Sequence, residues 1–217
     1  MVPRLHGHGR FRRWLGAALG GDEELGDRAW RRVLHVAGAA VLVYYAIPTN
    51  FFVLLPKDEV LVAALLVMFG LEALRHAVGL ELPTIRPYES RRVASFVFYS
   101  LALVIAVLVF PLPIGAAVVL GTAVVDPLAG ELRRGSRPTA VTVGVPLAVY
   151  WGLALIGMAA IGRWPVVGAA ALAALAAGIA VAAERPKWPW VDDDLAMTLA
   201  PALALYGVGV LALGWPG

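Results

Sequence analysis

The feature that most constrains this chain is its repeated supply of uncharged apolar runs of bilayer length. Leu195 to Leu213 holds 19 residues and no charge, and a helix rising about 1.5 Å per residue needs roughly 20 such residues to cross a hydrocarbon core of about 30 Å. Further apolar runs extend from Val33 to Leu55, Val60 to Leu74, Val93 to Phe110, Ile114 to Val125, Thr139 to Ile161 and Val166 to Ala183. With 60% hydrophobic and 15% charged residues, no soluble domain of this size fits. The expected fold is an all-α integral membrane protein, a bundle of about seven transmembrane helices. Span 6, almost all Ala, Gly and Leu, is expected at its centre, because small residues let helices approach closely.

Residues 1–30 read as a polar, partly disordered leader, and 31–217 as the polytopic helical domain. Arg10-Phe11-Arg12-Arg13-Trp14-Leu15 mixes basic and aromatic residues, as segments resting on anionic lipid do. No cleavable signal peptide is evident. The absence of cysteine excludes disulfides and thiolate metal sites. The net charge of +3 is explained by cytoplasmic Arg rather than by a nucleic-acid partner. A cytoplasmic N-terminus with seven spans puts 16 of the 18 Lys and Arg residues inside and leaves only Lys57 and Arg163 outside. That asymmetry sets the expected orientation, with the C-terminus outside. Trp30, Trp164, Trp188, Trp190 and Trp215 fall near span ends, as interfacial aromatics do.

With this topology the acids Glu72, Glu81, Glu89, Asp126, Glu131, Glu184 and Asp192 to Asp194 share one membrane face with the Arg clusters, and Asp58 and Glu59 lie on the other. Carboxylates hold a divalent cation, the cation bridges phosphate oxygens, and Arg neutralises the remaining charge. At Asp192-Asp193-Asp194 one Asp suffices to cap the following helix. Three adjacent ones repel each other unless a cation relieves them. Asp126 follows only 12 residues of span 4, about 18 Å of helix, so it is expected below the membrane surface, and Glu72 at similar depth. Plainer readings stand beside these. Glu72 and Arg75 are spaced to pair on one helix. Asp126-Pro127 reads as a helix N-cap with Pro at N1, which would also offer backbone N–H groups to phosphate. Arg133, Arg134 and Arg137 can serve topology alone, and Arg31 and His35 simply share a helical face. No P-loop, G-x-G-x-x-G or H-E-x-x-H is present, so phosphate handling falls to Arg and backbone.

Four places, in order, resemble the dolichol kinase and phytol kinase family of CTP-dependent polyprenol kinases. Arg31-Arg32-Val33-Leu34-His35 is similar to the family's Arg-Lys-x-x-His, and Glu72-Ala73-Leu74-Arg75 to its Glu-x-x-Arg. Asp126-Pro127-Leu128-Ala129 is similar to its Gly-Asp-x-x-Ala, with Val125 in place of Gly. Glu184 followed by Val191-Asp192-Asp193-Asp194-Leu195 is similar to its Glu and Ile-Asp-Asp-Asn-Leu. The resemblance covers residues 31 to about 205 and implies transfer of the CTP γ-phosphate to a long isoprenoid alcohol, with Mg²⁺ or another divalent cation. It implies a metal on Asp126, Asp192 and Asp193, with Asp194 less demanding because the family has Asn there. Asp126, Glu72 and Glu184 are then the catalytic candidates, Glu72 or Glu184 orienting the hydroxyl or accepting its proton. Arg31, Arg32, His35, Arg75, Arg133, Arg134 and Arg137 are the candidates for nucleotide binding. The expected partners are the alcohol in the bilayer, the nucleotide from the cytoplasm and the lipid itself, with self-association left open. The expected location is a multi-pass membrane, plasma membrane in a prokaryote or endoplasmic reticulum in a eukaryote, with the site on the cytoplasmic face. A cytidylyltransferase releasing pyrophosphate, and a diverged non-catalytic or transport protein, are the alternatives.

Overall fold

The computed structural model describes residues 23–49, 51, 55–79, 92–134, 136–184 and 192–215. Among them there is helix and no strand. Helix α1 (Glu23–Gly38) tightens into a 3₁₀ segment, Ala39–Tyr45. Then come α2 (Lys57–Val78), α3 (Ser95–Val109) and α4 (Leu112–Leu132). Helix α5 (Thr139–Leu155) runs on as a π-helix, Ile156–Ile161. Helix α6 (Val166–Glu184) follows, and α7 (Asp193–Leu205) again ends in a π-helix, Tyr206–Ala212. Among the described residues, five helices, α2, α4, α5, α6 and α7 with the π-helical ends included, are long and apolar enough to cross a membrane, and two apolar helices, Arg32–Tyr45 and Ser95–Val109, are shorter.

Contacts between helix ends fix the alternation of direction. At one end, Lys57 Nζ donates to the carbonyls of Tyr44 (3.1 Å) and Ile47 (2.9 Å), and Tyr45 Oη donates to Phe110 O at 2.9 Å. Trp164 meets Trp215 there, ring centroids 5.0 Å apart. At the other end, Ala94 N–H donates to Glu72 Oε1 at 2.8 Å, and Arg133 pairs with Glu184. These contacts satisfy exposed helix-terminal groups or balance charge, as helix termini require.

Several boundaries differ from expectation. The first apolar helix ends at Tyr45, before Pro48 and short of Leu55, where its apolar run ends. Lys57-Asp58-Glu59, polar residues between two of the apolar runs, form the first turn of α2, a placement that sets two acids at the positive end of the helix dipole. The largest correction is at Asp126-Pro127. Helix α4 passes straight through both, so Asp126 is no N-cap and no helix N-terminus there faces an anion. Pro127 removes one backbone bond, a loss that helices packed in an apolar bundle tolerate. The central helix is α4, not α6. Of their most apolar stretches, 67% of α4 is buried against 39% of α6. Helix α4 carries Gly115, Ala116, Ala117, Gly121, Thr122 and Ala123, and α1, α3, α5 and α7 all close on it. Small side chains allow that approach wherever they occur, and in α6 many of them point outward.

Candidate metal and phosphate site

Three helices converge on one imidazole. His35 on α1 lies with Nε2 3.3 Å from Asp126 Oδ2 on α4 and 3.3 Å from Asp194 Oδ1 on α7. One donor atom from each residue falls within 4.8 Å of the others. The Asp194 side chain is 6% exposed, His35 18% and Asp126 25%, so the trio is deep on one side and open on the other. A buried carboxylate is costly without a partner; here two share a histidine. The set of one nitrogen and two oxygens fits a divalent cation.

The histidine is held in place. Tyr99 on α3 stacks on its ring, centroids 4.2 Å apart and planes 16° apart, and donates from its hydroxyl to His35 O at 2.7 Å. Gly38 makes that approach possible, since a Cβ there would sit 2.6 Å from the Tyr99 ring. Asp192 caps α7, its Oδ1 accepting from Asp194 N–H at 3.1 Å. Asp192, Asp193 and Asp194 form a second group close enough to share a cation, with Asp192 and Asp193 the more exposed members. One turn deeper, Thr198 Oγ1 donates to Asp194 O (2.9 Å) and lies 3.2 Å from Thr122 Oγ1. The fully buried Tyr150 hydroxyl faces Thr122 without completing a hydrogen bond.

A cationic rim lies at the same end of the helices as the trio. Arg32 pairs with Glu131, and Arg134 lies 3.3 Å from the same carboxylate. Arg133 pairs with Glu184, which is 4% exposed and feels the charges of Asp126 and Asp193. The guanidinium reaches Glu184 Oε1 as an ion pair without the alignment of a hydrogen bond. Arg133 and Arg134 are each 45% exposed at the side chain, and Arg137 is exposed on the connection to α5. These guanidiniums are open to a phosphate. The side chain of Arg31 lies outside the described residues.

Glu72 and Arg75 stand apart. Arg75 donates to both Glu72 oxygens, Nε at 2.8 Å and Nη2 at 2.7 Å, and Nη2 also donates to Arg92 O at 2.8 Å. Glu72 further accepts the Ala94 N–H. The pair is buried and binds α2 to the start of α3, one turn before Tyr99. Its oxygens are occupied by neighbours, which is the pairing its spacing allowed rather than a free acid. Asp194 and Tyr99 are the participants that sequence reasoning placed last or omitted. No signal marks Tyr99, and the apolar run after Asp194 hides which of three acids turns inward. Comparison with protein-family models, with curated proteins and with solved structures finds no match for the chain.

Proposed function

We propose that this chain is a seven-span membrane phosphotransferase with a cytoplasmic N-terminus. It moves the γ-phosphoryl group of a nucleoside triphosphate, CTP by its resemblance, to the hydroxyl of a long isoprenoid alcohol. The observation that carries the reading is the recessed Asp126–His35–Asp194 trio beneath a rim of exposed Arg. Phosphoryl transfer needs little covalent chemistry from a protein; it needs positioned reactants and cations around the transferring group. A metal bound by Asp126 and the aspartates at 192–194 would neutralise phosphate charge. Arg133, Arg134, Arg137 and Arg32 would bind the phosphates, with Glu131 holding two of them in place. Glu184, beside Arg133, would orient the alcohol and take its proton as the alcohol oxygen bonds to the γ-phosphorus and the bond to the β-phosphate oxygen breaks, releasing CDP. Sunk at one end of an apolar bundle, the site would meet an alcohol that reaches the interface without leaving the bilayer.

The test is incubation of purified protein in detergent with γ-labelled CTP and a panel of isoprenoid alcohols. Label in the lipid with CDP as co-product supports the reading. Pyrophosphate release with cytidine in the lipid would make it a cytidylyltransferase, and no transfer from CTP or ATP to any alcohol would contradict it.

A further inference from the structure

Two groups of ligands share Asp194, and they predict different metals. The aspartates 192–194 offer oxygen alone, at the mouth of the site. The His35–Asp126–Asp194 group offers a nitrogen and two oxygens. We infer that the resident cation sits on His35 Nε2, Asp126 and Asp194, and that it is a transition-metal dication of the Mn²⁺ kind rather than Mg²⁺. This deepens the phosphotransfer reading and rests on it only for the use to which the metal is put.

Three observations favour the mixed group. Its members come from three different helices, His35 and Asp194 standing 159 residues apart in the chain. Their convergence is therefore a product of tertiary packing and not of a local turn. In the all-oxygen group, Asp192 already accepts the Asp194 N–H as the cap of α7. The imidazole is also oriented before any ligand arrives. Tyr99 fixes its plane by stacking and tethers the His35 main chain through its hydroxyl, and Gly38 leaves the room for it. Supporting groups of this kind orient metal ligands and raise their affinity.

The ligand chemistry then selects the ion. Mg²⁺ prefers all-oxygen octahedral shells and keeps much of its water. Imidazole favours the transition series, and carboxylates favour its early, harder members, of which Mn²⁺ is the first. An imidazolium shared by two carboxylates would give the same 3.3 Å distances, so the decisive experiment adds metal. The full chain, stripped of metal and purified in detergent without nucleotide, is titrated with Mn²⁺ alone and followed by electron paramagnetic resonance. The expected result is one bound Mn²⁺ per chain, with nitrogen-14 modulation from a coordinated imidazole. Mg²⁺ should displace it only at a concentration at least tenfold higher. His35→Gln should abolish the modulation and weaken binding at least tenfold, while Asp192→Asn should change it less than threefold. Bound Mn²⁺ without nitrogen modulation, equal competition by Mg²⁺, or no binding at all would overturn the inference. The modulation is read on the wild-type chain, so a variant that fails to fold does not blunt the test. Transfer activity that persists without a nitrogen-bound metal would sink this inference and leave the phosphotransferase standing. Nitrogen-bound Mn²⁺ with no transfer would do the reverse.

Discussion

At Asp194 three demands meet: it opens a helix, it is almost wholly buried, and its carboxylate shares His35 with Asp126. Asp192 and Asp193 share the helix start with it but are only half-buried. Asp194→Asn should therefore lower phosphoryl transfer at least tenfold further than Asp192→Asn, read as initial rates on protein of equal folded fraction; equal losses would mean that the half-buried aspartates do the binding. Tyr99→Phe keeps the stack on His35 and removes the hydroxyl tether. That tether holds the main chain rather than the imidazole itself, so its loss should weaken Mn²⁺ binding by less than the roughly 10- to 100-fold typical of a group bonded to a ligand, while far-UV circular dichroism stays unchanged. An unchanged affinity would reduce Tyr99 to packing. The acids, His35 and the arginines were legible in the sequence because charged residues are conspicuous in apolar surroundings. Which aspartate turns inward was not legible, because three identical neighbours differ only in the rotation of the helix that follows them.

Hydropathy located seven apolar segments, and α5 and α6 begin and end close to where their runs do. Its failures came from residues with two meanings. Pro127 ends a helix exposed to water but is carried inside α4, and Lys57-Asp58-Glu59 is polar enough for a turn yet forms the first turn of α2. Spacing showed that Glu72 and Arg75 can pair, but not that Ala94 and Arg92 would complete the contact. As a buried clamp between α2 and α3, the pair belongs to stability. Removing one partner of a buried ion pair costs about 3–5 kcal/mol, so Glu72→Gln should unfold at markedly lower denaturant while transfer per folded molecule stays near wild type. Lost transfer at wild-type stability would return Glu72 to the chemistry. The far ends of α5 and α7 are built alike. Each finishes in a π-helix, followed by a residue of positive φ (Arg163 at 56°, Gly214 at 66°) and a Trp. The Trp N–H reaches back six residues in both, Trp164 to Met158 O and Trp215 to Gly209 O, at 3.0 Å. The two indoles then pack edge to face, Trp215 over Gly168 and Trp164 over Gly209, where a Cβ would lie 2.8 Å from the Trp164 ring. Gly209→Val should destabilise by about 1–3 kcal/mol through overpacking, measured by denaturant titration in mixed micelles; a neutral result would mean that the indoles shift freely.

Across the whole molecule, chemistry is segregated by end. Tyr44, Lys57, Trp164 and Trp215 close one end with hydrogen bonds and aromatic packing. His35, Asp126, Glu184, Asp194 and the Arg rim occupy the other, with the Thr122–Thr198 contact one turn beneath them. A transport path would carry its acids through the bundle; among the described residues the buried acids are Glu72 near the end of α2, Glu184 at the end of α6 and Asp194 at the start of α7. Single cysteines at the exposed positions Glu59 and Ser136 of this cysteine-free chain should label from opposite sides of the membrane with an impermeant reagent, Ser136→Cys from the cytoplasm, and same-side labelling would overturn the seven-span arrangement. If the acid and histidine trio holds the metal for phosphoryl transfer, Asp126 is the residue whose loss shows it most directly. Asp126→Asn preserves shape and hydrogen-bonding capacity and removes one charge from a site where carboxylates crowd. The measurement is transfer of γ-phosphate label from CTP to an isoprenoid alcohol by wild type and Asp126→Asn, side by side in the same detergent. The wild type should yield labelled lipid and CDP, and the variant less than a hundredth of that with an undiminished metal-free melting temperature. A variant that transfers label at the wild-type rate would contradict the account.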